Sequence, residues 1–209
     1  MALIAVAGFA ALTTALAAPA PVLVAFGDSI TEGYGVDRAA SYPAQLERAL
    51  TAKGFQWKVV NAGVSGDTTG NALDRVASVI ATKPGLVLVE FGGNDGLRGL
   101  PHEVTRKNLD ELITRLLKAG ARVALLGMTL PKNYGGTYVG KFEEIFAALA
   151  AKHRITLISV KGAAVAGGGP GLMQPDGIHP TGAGYARLVS YLLPFVEKEI
   201  RAAQARGSR

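Results

Sequence analysis

The sequence predicts an α/β fold of the doubly wound type: a parallel five-stranded sheet with helices on both faces. Three observations carry this. Short runs dense in Val, Leu and Ile alternate with segments whose apolar residues recur at helical spacing. The strand-like runs are dominated by consecutive apolar residues, as expected for a sheet buried on both sides. The 209 residues, against about 150 per domain, contain no linker and no internal repeat, so one domain is expected. A βαβα order with right-handed crossovers then leaves doubly wound arrangements.

The elements follow in order. Strands are expected at Pro21 to Phe26, Trp57 to Asn61, Leu86 to Phe91, Arg122 to Gly127 and Ile155 to Ser159. Helices are expected at Tyr42 to Lys53, Asn71 to Thr82, Glu103 to Ala119, Val139 to Lys152 and Thr181 to Ala205. In the third helix Leu109, Leu112, Ile113, Leu116 and Leu117 have the i, i+3, i+4, i+7, i+8 spacing of one buried face. Ahead of the first strand, no residue from Met1 to Gly27 is charged. Leu3 to Leu16 has the length of a secretory h-region, and Ala15-Leu16-Ala17 before Ala18-Pro19 offers a cleavage site, although no Lys or Arg precedes the run. Residues 1–20 are therefore read as a signal peptide, 21–205 as the folded domain and 206–209 as a tail. Thr13, Thr14, Pro19 and Pro21 interrupt the apolar stretch before the roughly 20 residues of a spanning helix, so no lasting membrane insertion is expected.

Composition excludes several classes. Apolar residues make up 49% and charged residues 18%, which rules out a disordered chain. The absence of cysteine rules out a disulfide scaffold, a Cys-ligated metal and a thiol nucleophile. The net charge of +6 is carried by scattered Lys and Arg with no aromatic interleaving, so nucleic acid is not an expected partner.

In doubly wound sheets ligands bind beyond the carboxyl ends of the strands. Three consecutive junctions there are rich in small polar residues: Gly27-Asp28-Ser29-Ile30, Asn61-Ala62-Gly63-Val64-Ser65-Gly66-Asp67-Thr68, and Gly92-Gly93-Asn94-Asp95-Gly96. Such residues also make ordinary turns and caps, and neither a P-loop nor a G-x-G-x-x-G pattern follows the first strand. The last junction carries Asp176-Gly177-Ile178-His179. Its spacing lets Asp176 hold one imidazole nitrogen while the other faces a substrate; His102 and His153, among charged neighbours, are read as solvated. Ser29 is then the expected nucleophile and His179 its base, with Asp176 stabilising the imidazolium. The oxyanion would be met by the N–H groups of Ser29 and Gly63 and by the Asn94 amide; Gly63 has no side chain to block approach. Neither metal nor organic cofactor is needed.

These four blocks resemble those of the SGNH, or GDSL, hydrolases, and especially the bacterial arylesterase, thioesterase I and lysophospholipase L1 group, down to Gly92-Gly-Asn-Asp-Gly-Leu-Arg-Gly99 and Leu130-Pro-Lys-Asn-Tyr134. The resemblance spans about Pro21 to Leu193. It implies a flavodoxin-like three-layer α/β/α sandwich with strand order 2-1-3-4-5. It implies a serine esterase acting through an acyl-enzyme on acyl esters and thioesters, among them aryl esters and lysophospholipids, in the periplasm or outside the cell. The same roles for Ser29, Asp176, His179, Gly63 and Asn94 are implied, and Asp95, Gly96, Leu97, Leu130 and Pro131 would border the substrate. No G-x-S-x-G occurs, which separates the chain from α/β-hydrolases. A carbohydrate acetylesterase of the same superfamily and a non-catalytic ligand-binding module are the alternatives.

Overall fold

A computed structural model describes residues 20–165 and 169–207. Five strands, β1 (Val22–Gly27), β2 (Lys58–Gly63), β3 (Leu86–Glu90), β4 (Arg122–Gly127) and β5 (Thr156–Ser159), form one parallel sheet in the order β2-β1-β3-β4-β5. The helices are α1 (Ser29–Glu32), α2 (Tyr42–Ala52), α3 (Thr69–Ala81), α4 (Gly93–Leu97), α5 (His102–Lys118), α6 (Gly136–His153) and α7 (Gly182–Gly207).

Side chains alternate across a strand, and both sets are apolar because both faces are covered. Leu23, Ala25, Leu88, Ala124, Leu126 and Ile158 pack with Leu46 and Leu50 of α2 and with Tyr185, Leu192 and Val196 of α7. Val24, Phe26, Val87, Val89, Val123 and Leu125 meet α3, α5 and α6 on the other face. The five expected strands and five long helices are present with ends shifted by a few residues. Two short helices were not expected: α1 and α4, of four and five residues, are too short to show a helical period. α7 continues through Gly207, past the expected start of the tail. The expected signal peptide lies outside the described residues, apart from its last residue. No helix among the described residues is long and apolar enough to cross a membrane.

Candidate active site

The parallel register aligns the carboxyl ends of the first three strands, with Gly27 opposite Gly63 on one side and Glu90 on the other. The chain leaves β1 into α1, whose first residue is Ser29. Asp28 caps that single turn by accepting from the Ile30 N–H at 3.1 Å. Beneath it Glu90, fully buried, accepts from the Asp28 N–H at 3.3 Å and from the Thr31 hydroxyl at 2.8 Å. The Tyr42 hydroxyl extends the network to Thr31 at 3.1 Å. Burial, and then the neighbouring Asp28 charge, push the Glu90 carboxyl well above the ordinary range. Burial also raises Asp28, to about 6, against hydrogen bonds from Ile30, Glu90 and Asn94 and the His179 charge.

The loop before α7 brings His179 and Asp176 to Ser29. His179 Nε2 lies 2.9 Å from Ser29 Oγ, and Nδ1 lies 2.7 Å from Asp176 Oδ2. Asp176 Oδ1 accepts from the Ile178 and His179 N–H groups at 2.9 and 3.0 Å. These bonds, the imidazole's first, hold Asp176 down to about 2. The loop is pinned at its base: Gln174 N–H donates to the His179 carbonyl at 2.8 Å, and Gln174 Nε2 donates to the carbonyls of Pro180 and Tyr34. The Tyr34 ring lies against the imidazole, 4.7 Å between centroids. Neither of the other histidines fits the solvated reading. His153 is mostly buried and bonded to Asp110 at 2.6 Å, and His102 packs on Tyr138, ring centroids 4.5 Å apart.

One of the expected oxyanion donors is already engaged. Gly63 N–H already donates to Asn61 Oδ1 at 2.9 Å. A Cβ on Gly63 would stand 2.1 Å from the Glu32 nitrogen, so this glycine lets β2 pack against α1 and its N–H is spent internally. Three residues on, the Val64–Asp67 turn is closed by Asp67 N–H on the Val64 carbonyl at 3.2 Å. Its third residue, Gly66, has φ +83°, the type II requirement that favours glycine. Among the described residues no partner takes the Gly66 N–H or the Ser29 N–H. Asn94 is fixed beside that turn, its Nδ2 donating to the Asp67 carbonyl and to Asp28 Oδ2, each at 3.0 Å. Sequence reasoning passed over Gly66. The Ser-Gly pair is a turn signal, but only the bond to Asn61 tells the two glycines apart.

The expected substrate border also divides. Asp95 is fully buried and accepts from the Thr69 N–H at 2.9 Å and the Thr69 hydroxyl at 2.5 Å, so it ties α4 to the start of α3. Leu130 belongs to the core, and a Cβ on the buried Gly96 would come within 2.7 Å of it. Asp95, Gly96 and Leu130 therefore do not face a substrate, because the α4 turn is packed down onto α3 and α6. Leu97 is half-buried and Pro131 exposed.

The site has close counterparts. Residues 25–187 match the model of the GDSL-like lipase/acylhydrolase family. Esterase TesA of Pseudomonas aeruginosa is 40% identical over 178 residues, covering 85% of this chain and 88% of that protein. Thioesterase 1/protease 1/lysophospholipase L1 of Escherichia coli K12 is 38% identical over 173 residues, covering 82% of this chain and 81% of that protein. Among solved structures, the psychrotrophic esterase EstA from Pseudoalteromonas sp., inhibited by monoethylphosphonate, superposes with a TM-score of 0.80 at 28% identity, covering 86% of this chain and 98% of that one. The protein is accordingly a carboxylic ester hydrolase of the serine type, and the chain belongs to the GDSL-like lipase/acylhydrolase family.

Proposed function

We propose that Ser29 is the nucleophile of this esterase, His179 its general base and acid, and Asp176 the group that orients the imidazole. The observation that carries the reading is the unbroken chain from Ser29 Oγ to His179 Nε2 and from His179 Nδ1 to Asp176, at 2.9 and 2.7 Å. As Oγ attacks the acyl carbon its proton passes to Nε2, and the ionised Asp176 stabilises the imidazolium. The oxyanion is met by the N–H groups of Ser29 and Gly66 and by the Asn94 amide, which shares a hydrogen now held by Asp28 or by the Asp67 carbonyl. Collapse returns the proton from Nε2 to the leaving alcohol or thiol and leaves an acyl ester on Ser29. Water then attacks that ester, gives its proton to His179, and the second collapse releases the acid and restores Ser29.

Aryl esters, short- and medium-chain acyl esters, thioesters and lysophospholipids are the substrate classes, with Leu97 and Pro131 bordering the acyl group. In support, three large apolar side chains exposed to solvent, Tyr34, Val64 and Ile178, sit on the segments that carry the site. Residues 1–20 act as an export leader, with the catalytic domain beginning at residue 21; the N-terminal sequence of protein recovered from the periplasm checks this.

The central test compares wild type with Ser29→Ala on p-nitrophenyl butyrate. Turnover is lost in the variant while its melting temperature is kept, and a phosphonate adds its mass to wild type at Ser29 alone. Undiminished turnover by Ser29→Ala would sink the assignment. Faster release of acetate from acetylated xylan than of butyrate from its aryl ester would favour a carbohydrate acetylesterase.

A further inference from the structure

Arg75, on the inner face of α3, does more than pair with an acid. Its Nε donates to Asp67 Oδ2 at 2.8 Å and its Nη2 lies 2.6 Å from the same oxygen. Nη1 donates to the Ala62 carbonyl at 3.1 Å, and Nη2 also donates to the Gly27 carbonyl at 3.3 Å. The guanidinium lies over the Phe26 ring, 4.9 Å from its centroid. These acceptors bear directly on the proposed oxyanion hole. Ala62 and Asp67 bracket the loop that carries Gly66. The carbonyl of Asp67 holds the Asn94 amide. The Gly27 carbonyl belongs to the peptide just before Asp28-Ser29, and its other side is fixed because the Asp28 N–H donates to Glu90. The Val64 N–H reaches the same carbonyl at 3.1 Å.

From this we infer that Arg75 is a positioning residue for the oxyanion hole, clamping the Gly66 loop at both ends and fastening it to the peptide that precedes the nucleophile. The inference rests on the hole proposed above. An isolated ion pair on a surface does little, but this side chain is about three-quarters buried and three of its donors reach two main-chain carbonyls and a carboxylate. Only a planar fork with donors in fixed directions satisfies all three. A lysine ammonium at the same position is a single point and cannot span all three.

The experiment compares kcat, KM and the rate of phosphonylation in wild type, Arg75→Met, Arg75→Ala, Arg75→Lys, Asp67→Asn and Asn94→Ala. Methionine keeps an apolar stem over Phe26 and removes the fork. The expected result for Arg75→Met is a fall in kcat of about 10²-fold, the lower end of what losing one oxyanion donor costs, with KM changed less than about threefold. Phosphonylation slows in parallel, since the phosphonyl oxygen occupies the same hole, and the acid limb of kcat/KM stays in place because the triad is intact. Arg75→Lys and Asp67→Asn lose less but still more than threefold, and in Arg75→Ala added ethylguanidine restores part of kcat. If Arg75→Met does not fold, Arg75→Lys and Asp67→Asn carry the same comparison. A folded Arg75 variant within threefold of wild type in kcat and phosphonylation, beside an Asn94→Ala that loses about 10²-fold, overturns the inference and leaves the hole standing. An Asn94→Ala that keeps full kcat overturns the hole itself.

Discussion

Ser29 stands between two carboxyl systems of opposite character. On the solvent side Asp176 is exposed and receives three hydrogen bonds, from the imidazole and from two main-chain N–H groups; it stays charged down to about pH 2. On the inner side Glu90 is sealed from water, and its Oε1 has no partner among the described residues; burial first, and then the Asp28 charge, raise its carboxyl well above the ordinary range. Donors and water let a carboxylate keep its charge, whereas burial with too few donors forces the proton on. One flank thus offers a charged carboxylate to the imidazole, and the other a buried carboxyl that fixes the turn behind Ser29.

The sharpest way to break this contrast is to neutralise the charged flank. Asp176→Asn keeps an oxygen for the Ile178 and His179 N–H groups but turns an amide N–H toward Nδ1, which places the imidazole proton on Nε2, where it cannot accept from Ser29. A fall in kcat of roughly 10³- to 10⁴-fold is expected, with a melting temperature within a few degrees of wild type. A loss under tenfold would mean that Asp176 only braces the loop.

Next in size is the buried flank. Glu90→Leu strips the acceptor from the Asp28 N–H and the Thr31 hydroxyl and should cost about 2–4 kcal/mol, read by urea unfolding. Glu90→Gln keeps an acceptor and isolates the proton. A group whose folded pKa is raised binds more protons folded than unfolded, so its contribution weakens as pH rises from the unfolded carboxyl range near 4. For Asp28 this runs to about 6, and for Glu90 it continues above its ordinary value. Glu90→Gln should therefore gain on wild type in stability between pH 5 and pH 9. Melting temperatures that stay parallel over that range would show that Glu90 carries no raised pKa.

The charged flank was legible in the sequence because its partners are three residues apart, and Asp-x-x-His states the pairing outright. The central strands were legible too, since a sheet covered on both sides favours apolar residues on both faces, whereas the half-buried edge strands β2 and β5 also carry Lys58, Asn61, Thr156 and Ser159. The buried flank was not. Glu90 closes an apolar run, and nothing local says that its carboxyl meets Asp28, 62 residues away. Nor could the sequence choose between Gly63 and Gly66, because the choice depends on which N–H the Asn61 side chain has taken.

Asp95 extends the comparison to a carboxyl that is buried yet well supplied with donors. Thr69 gives it two hydrogen bonds, and the Thr105 hydroxyl lies at 3.4 Å. If its work is to tie α4 to α3, Asp95→Asn turns an N–H toward one of these donors and costs about 1–3 kcal/mol of stability. KM for p-nitrophenyl butyrate should not move at a temperature where the variant is folded. A raised KM with unchanged stability would return Asp95 to the substrate border.

Among the apolar residues on either side of that turn, exposure again separates structure from specificity. Leu130 is 5% exposed and packed beneath Gly96, so Leu130→Ala should cost about 2–5 kcal/mol of folding free energy and leave the acyl preference alone. Leu97 is half-buried, and its carbonyl accepts from the Tyr134 hydroxyl at 3.0 Å, a main-chain bond that substitution of the side chain preserves. The Leu97 side chain also packs on the edge of the core, so Leu97→Ala should cost less stability than Leu130→Ala and act chiefly on the substrate. One methylene in a pocket is worth about 1–3 kcal/mol, and a partly open surface delivers the low end. The ratio of kcat/KM for octanoyl to acetyl esters should fall about fivefold to tenfold. If the ratio moves in Leu130→Ala and stays put in Leu97→Ala, the acyl group runs under the α4 turn instead of over it, and the division between packed and substrate-facing residues has to be redrawn.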